Sequence, residues 1–431
     1  VLFVVFDERD KSTFVPCPGS GAQKICYPRN KMKHVFSLLV ACASMLVFAT
    51  NASAAPMPNP NGYEYFIRAG DAFVPDNKGV DEVTSTKYEK GKIYPIAPKE
   101  AWLKRNAKAF HLLREGLKYP VWQPKVQFSH LYPNYSKFRW LARALRVESH
   151  VYAERGELDK AVGSAVDIID FGYAIPRGGP LIASLVGNAI TAMGFRELEN
   201  LLPRLDASTS RTASFRLGKI YANRFPYYKT VQGDKMYGQE LLKDALKRTD
   251  WRKQIADAGD LSVIQAARLL SMSKEELMAD YSRLMDAQID NAHLPYSTMQ
   301  PVTGFKKSPV AIFAINVSSR RWIQARADTQ CVLAMTMLAL RAYKMNHGNY
   351  PRTLQKLVPH YLRKVPLDSF DGLTPLRYRL EGEKYFLWSI GPDGINNNGR
   401  PIENKNRPER GRYRSWNSGA TGDIVAGLNM L

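Results

Sequence analysis

The sequence predicts a mainly α-helical protein that ends in a small α+β unit: an irregular helical array, then a long helix with an antiparallel hairpin or sheet. Three observations predict it. Apolar residues recur at intervals of three and four from Trp102 to Leu294, with little strand-like alternation. A 26-residue amphipathic pattern, Arg321 to Asn346, ends on a glycine cap. Two short alternating segments joined by Glu381-Gly382-Glu383-Lys384 then read as a hairpin.

The chain has 431 residues, 45% apolar and 23% charged, the proportions of a folded protein rather than a collagenous or disordered one. Lys and Arg exceed Asp and Glu by 61 to 40, a net charge of +21 that favours anionic partners. Four cysteines exclude a dense disulfide framework.

Residues 1–31 have no periodicity and precede a complete targeting pattern, so they are expected to be an upstream extension outside the fold. Residues 32–54 read as a secretory signal: basic Met32-Lys33-His34, the apolar run Val35 to Phe48, then small residues through Ala55 before Pro56. The run is shorter than the roughly 20 residues of a membrane span. Cleavage is expected after Ala54, with a lipoprotein signal at Cys42 as the competing reading. The mature chain then holds a single cysteine, Cys331, on an apolar helical stripe where a buried thiol is expected. Export also disfavours an intracellular nucleic-acid role, and no transmembrane span is expected in the mature chain.

Residues 55–100 are expected to be extended and 101–309 to be the helical domain. Leu103, Ala107, Phe110, Leu113 and Leu117 form one stripe; Phe138, Leu141, Leu145 and Tyr152 form another after a proline-rich break. Tyr152 to Ala161 resembles the turn of a tetratricopeptide repeat, with Gly156 closing one helix and Ala161 and Ala165 admitting the next. No second copy follows in phase, so a helical hairpin is predicted. Gly178-Gly179 reads as a turn, since no GK[ST] follows. Gly187 and Gly194, seven apart, share one helix face and allow close packing.

Ser271-Met272-Ser273-Lys274 matches S-x-x-K, yet Ser273 to Glu276 is also a capping box, which accounts for the segment. His111/Glu115 and His150/Glu154 are i, i+4 pairs with the composition of acid–base dyads, or of ordinary solvated contacts.

Residues 310–431 form the last expected unit. On the long helix, Ile323, Ala327, Cys331, Met335, Leu338, Ala342 and Met345 mark the buried face. Arg326, Asp328, Gln330, Arg341 and Lys344 are expected mainly on the wet side. Gly348 caps it, and a second helix is expected from Thr353 to Leu362. Strands are expected at Leu376–Leu380 and Tyr385–Ser389. The blocks A-L-R-A-Y-K-M-N-H-G-N-Y-P (Ala339–Pro351), L-V-P-H-Y-L (Leu357–Leu362), V-P-L-D-S-F-D-G (Val365–Gly372), L-R-Y-R (Leu376–Arg379), S-I-G-P-D-G (Ser389–Gly394) and G-D-I (Gly422–Ile424) together resemble the globular head of the type II secretion major pseudopilin. The preceding apolar piece, Val310 to Val317, lacks the prepilin site and length of the family's filament-forming helix. The helical middle resembles uncharacterised secreted bacterial proteins that carry the same head.

The resemblance implies a calcium loop at Ser389, Asp393 and Asp423, with backbone near Ile390; Ca²⁺ takes six to eight oxygens. The same residues also read as an Asx/Gly-turn loop pinned by its own hydrogen bonds. The insertion Glu403 to Gly419 carries Lys405, Arg407, Arg410, Arg412 and Arg414 with Tyr413 and Trp416 between them. It suits anionic surface polymers, lipid headgroups or extracellular nucleic acid, or it is a solvated basic loop. Three functions compete: an exported interaction or structural protein of the cell envelope, binding an envelope protein or anionic polymer; a hydrolase-type enzyme with its site among the helices; and an accessory component or client of a type II-like secretion system.

Overall fold

The computed structural model describes residues 56–75, 96–125, 131–257, 261–312, 317–403 and 418–430. The signal segment at 32–54 and Cys42 lie outside the described residues. From Met57 onward the chain forms one compact unit. Among the described residues it is mainly helical with a three-stranded antiparallel sheet near the C-terminus, as the periodicity predicts.

The segment expected to be extended contains two helices, α1 (Gly62–Asp71) and α2 (Ile96–Arg105). Asn61 caps α1, its Oδ1 accepting from the Tyr63 amide at 3.1 Å and from the Trp122 amide at 3.0 Å. One short side chain thus starts the helix and ties it to the distant loop after α3 (Ala107–Gly116). Phe66 of α1 meets Phe171 edge-on at 4.8 Å between ring centroids, and Phe138 packs on both, making an aromatic core.

The predicted helical hairpin is α4 (Leu131–Glu154) and α5 (Leu158–Ala174). Gly156 takes φ +79° between them, a left-handed conformation that disfavours a Cβ. Ala161 and Ala165 are wholly buried, and the Ser149 hydroxyl donates to the Ala161 carbonyl at 2.9 Å. The array continues through α6 (Leu181–Leu201), α7 (Ala207–Ala222), α8 (Tyr227–Leu246), α9 (Trp251–Asp257), α10 (Val263–Ser271) and α11 (Lys274–Ala292). Gly187 and Gly194 do sit at the α5–α6 contact, where a methyl group on Gly194 would stand 2.7 Å from the Ala165 carbonyl. Gly178 is a left-handed turn residue at φ +76°.

The long helix α12 runs from Val317 to His347. It packs on α6, α7 and the sheet, so one apolar cluster holds Ala165 and Phe195 of the array together with Cys331, Leu338, Leu387 and Ile424 of the tail. This surrounding array corrects the expected wet side: Asp328 and Gln330 are 5% and 3% exposed. Asp328 accepts from the Gln324 amide at 3.0 Å and faces the Arg224 guanidinium at 3.5 Å; the Gln330 amide donates to the Met430 carbonyl at 2.7 Å. Arg341 lays its guanidinium on the carbonyls of Leu205 and Pro203, each at 3.0 Å. These polar side chains are fasteners between elements. Gly348 ends the helix at φ +78°, its amide on the Lys344 carbonyl.

The second tail helix is a correction as well. Only the 3₁₀ turn Leu354–Leu357 forms, because Pro359 offers no amide and pushes Val358 into extended backbone, ψ 136°. Strand β1 (Arg377–Glu381) pairs antiparallel with β2 (Lys384–Ser389), and β2 with the short β3 (Ile424–Val425).

Candidate functional site

The residues singled out in the tail divide into two groups. Ser389 ends β2 and is wholly buried, as is Asp368 in the turn before β1. The Ser389 hydroxyl donates to Asp368 Oδ1 at 2.6 Å, while the Ile390 and Phe370 amides donate to the same carboxylate at 2.9 and 3.1 Å. Burial raises the Asp368 carboxyl above its ordinary range against the pull of these donors and of Arg377. The Ser389 hydroxyl thus joins Asp368 to the loop beyond, since its oxygen also accepts from the Gly391 amide at 3.4 Å.

Asp393 and Asp423 do come together, with Asn397 between them. The Asn397 backbone amide donates to Asp423 Oδ1 at 3.1 Å, and its side-chain amide reaches Asp393 Oδ2 at 3.4 Å. Gly399 donates to Asp423 Oδ2 at 2.6 Å, Gly422 to Asp393 Oδ2 at 2.8 Å, and Ile395 to Asp393 Oδ1 at 3.0 Å. Asn396 accepts from the Trp388 indole at 3.0 Å. Left-handed backbone at Gly394, Asn398, Gly399 and Gly422 folds the loop tightly enough for this. Asp423 is fully buried, which raises its carboxyl; the Asn397 and Gly399 amides oppose this, and the charges of Asp393 and Asp368 add to it.

Asn429 completes the platform, donating to the Asp423 carbonyl at 2.9 Å and accepting from the Val425 amide at 2.6 Å. Asp423 bridges in parallel to Pro401, with Ile402 N donating to Asp423 O at 3.1 Å and Asp423 N to Arg400 O at 2.8 Å. The chain thus leaves for the basic insertion and returns from it at one point. Lys405, Arg407, Arg410, Arg412 and Arg414 themselves lie outside the described residues. In the sequence Asp368 is marked only by its D-S-F-D-G turn and Asn397 only as one of the Asn side chains beside Asp393 suited to calcium, while Asn429 carries no signal.

All carboxylate oxygens of Asp393 and Asp423 thus accept protein hydrogen bonds, and among the described residues no group of three His, Cys, Asp or Glu side chains is placed to hold a metal ion. The oxygen chemistry suits calcium, and each oxygen keeps one further lone-pair direction at most for it.

In the helical region, His111 is exposed on α3, and Glu115 bonds Lys118 at 2.5 Å. His150 faces Glu197, 3% exposed, at 3.0 Å rather than Glu154. Burial would raise the Glu197 carboxyl, but the His150 and Arg146 bonds outweigh it and hold it below the usual range. Ser273 caps α11, accepting the Glu276 amide at 3.1 Å while Glu276 accepts the Ser273 amide at 2.7 Å. Cys331 is buried and free, its thiol pushed up to about 12 by burial first and by Asp328. A cleft of about 200 Å³ between α5 and α7 is lined by Asp159, Ser208, Thr209, Thr212 and Arg216 among others; neither His111 nor His150 borders it. Among the described residues no helix is long and apolar enough to cross a membrane. Compared with protein-family models, curated proteins and solved structures, the chain matches none.

Proposed function

We propose that this chain is an exported bacterial protein of the cell envelope that works by surface binding, a helical scaffold bearing a pseudopilin-like head. The carrying observation is the self-bonded platform around Asp393, Asn397 and Asp423. It is mounted on β2 and β3, which pack on a helix buried in the array, and it clamps both ends of the basic insertion. A clamped insertion rich in Lys and Arg fits an anionic surface polymer. The test is retention of the full chain on a sulfated polysaccharide resin, compared with a variant reversing Lys405, Arg407, Arg410, Arg412 and Arg414 to Glu. Elution of the variant at clearly lower salt supports the reading; elution at the same salt overturns it.

A second reading, calcium at Asp393 and Asp423, is favoured by the convergence of these two carboxylates near Asp368. A bound cation would relieve their mutual repulsion. Calcium should then raise the melting temperature of the wild type, and the rise should vanish in Asp393→Asn and Asp423→Asn. No shift in the wild type rejects it.

A further inference from the structure

Helix α10 is held to the body by one face and leaves the other bare. Its inner face buries Gln265 and Leu269. Ser262 and Gln265 form a capping box, and the Gln265 side chain also donates to the carbonyls of Lys306 at 2.9 Å and Ser308 at 3.3 Å. At the other end, the Arg252 guanidinium bonds the carbonyls of Leu269 at 3.2 Å and Met272 at 2.9 Å. Against that firm attachment, Val263 is 86% exposed, Ile264 56% and Leu270 72%. Val263, exposed Ala267 and Leu270 are spaced four and three apart, so they form one stripe turned away from the protein.

The elements adjoining α10 expose lysines. Lys306 and Lys307 are exposed on the segment that Gln265 grips, Lys253 is exposed beside Arg252, and Lys274 opens the next helix. The carboxylates on these same elements are Asp257, Glu275, Glu276, already bonded to the Ser273 amide, and further along α11 Asp280, held by Arg268 and Arg283, Asp286, held by Lys235, and Asp290. The balance is positive, in a chain of net charge +21. Protein–protein interface cores are depleted in Lys, whereas an apolar helical stripe bordered by Lys and Arg is the pattern of a helix lying in an anionic lipid interface. We infer that α10 docks the protein on an anionic bilayer, with Val263, Ile264 and Leu270 entering the acyl boundary and Lys306, Lys307, Lys253 and Lys274 meeting the headgroups.

The inference stands on different residues from the tail platform and does not need the polymer reading; either can fail alone. The experiment is cosedimentation of the full chain with vesicles of phosphatidylcholine and phosphatidylglycerol in equal parts, and with phosphatidylcholine alone. The wild type should bind the anionic vesicles preferentially, and the fluorescence of an Ile264→Trp variant should shift to the blue on binding. Val263→Asp with Leu270→Asp should lower the partition by about tenfold or more, consistent with losing two apolar side chains. Both sites are exposed, so an unchanged circular dichroism spectrum certifies the fold. Lys306→Glu with Lys307→Glu should weaken binding and flatten its salt dependence. Absence of wild-type binding, or equal binding by the aspartate variant, overturns the inference. So does self-association of the wild type that the aspartate variant abolishes while no vesicle is bound, since the stripe would then join two copies of the chain.

Discussion

Gly172 and Gly187 meet backbone to backbone where α5 crosses α6: a methyl group on Gly172 would lie 2.7 Å from the Gly187 carbonyl oxygen and 2.5 Å from the Thr191 methyl. Neither neighbour can yield cheaply, because one is backbone and the other is the side chain of the fully buried Thr191. Small residues here let the two helices approach, and that approach brings Ile169, Phe195 and Leu198 into one cluster with α12.

Gly172→Ala should therefore destabilise the protein by about 1–3 kcal/mol through overpacking. The midpoint of urea unfolding reads it. Gly163→Ala, on the same helix with open space around its Cα, is the control and should cost nothing or stabilise slightly. Equal midpoints for Gly172→Ala and the wild type would contradict the close approach.

Glu197 supplies the second prediction. It is 3% exposed and joins Arg146 at 2.9 Å and His150 at 3.0 Å, linking α6 to α4. Glu197→Ala would remove the buried carboxylate that Arg146 and His150 share, and the expected loss is about 1–3 kcal/mol. Because the Glu197 carboxyl sits below its ordinary range in the folded chain, its contribution is present above the ordinary glutamate value and fades as the pH falls below it. The destabilisation by Glu197→Ala should shrink correspondingly in acid. A pH-independent difference between variant and wild type would show that the pair is not ionic.

How far the sequence reveals this molecule depends on whether the signal is local. The Gly348 cap, the Ser273–Glu276 box, the Gly156 turn and the β1–β2 hairpin rest on a few adjacent residues, and each is where its pattern puts it. The burial of Asp328 and Gln330 is not legible, because a polar residue on a 3.6-residue period looks wet and nothing local says that α6, α7 and the sheet enclose that side too. Helix α1 has a local start in Asn61, but the partners that bury its apolar face, Phe138 and Phe171, lie far along the chain. At the candidate site, Asp393 and Asp423 were legible as a pair. The bond from Ser389 to Asp368 is not legible, because it spans a turn and a strand.

Asp368 is the third case. It is wholly buried and accepts from the Ser389 hydroxyl and the Ile390 and Phe370 amides. Asp368→Ala strands all three donors and should destabilise by about 3 kcal/mol, at one or more kcal/mol for each buried donor left unmet. Ser389→Ala removes one donor only and should cost less, about 1 kcal/mol. Hydrogen exchange should report faster exchange at Ile390 and Phe370 in the first variant. Unchanged protection there would mean that the carboxylate does not anchor the turn.

Asp170 gives a pH dependence of opposite sign. Burial pushes its carboxyl up to about 6; Arg216, Arg177 and Lys219 pull it down, and neighbouring Asp167 pushes it further up. An acid whose folded value lies above its unfolded value holds its proton more tightly in the native state, so stability falls as the pH rises between about 4 and 6. Asp170→Asn keeps the shape and removes the ionisation. The variant should be more stable than the wild type at pH 7.5, by about 1–2 kcal/mol. At pH 4 the two should coincide. Arg216 decides the outcome: its guanidinium already bonds Asp167 at 2.9 Å, so it has little left for Asp170. If Asp170→Asn were instead less stable at pH 7.5, the ionised carboxylate would be a favourable partner of Arg216, and the burial argument would be wrong.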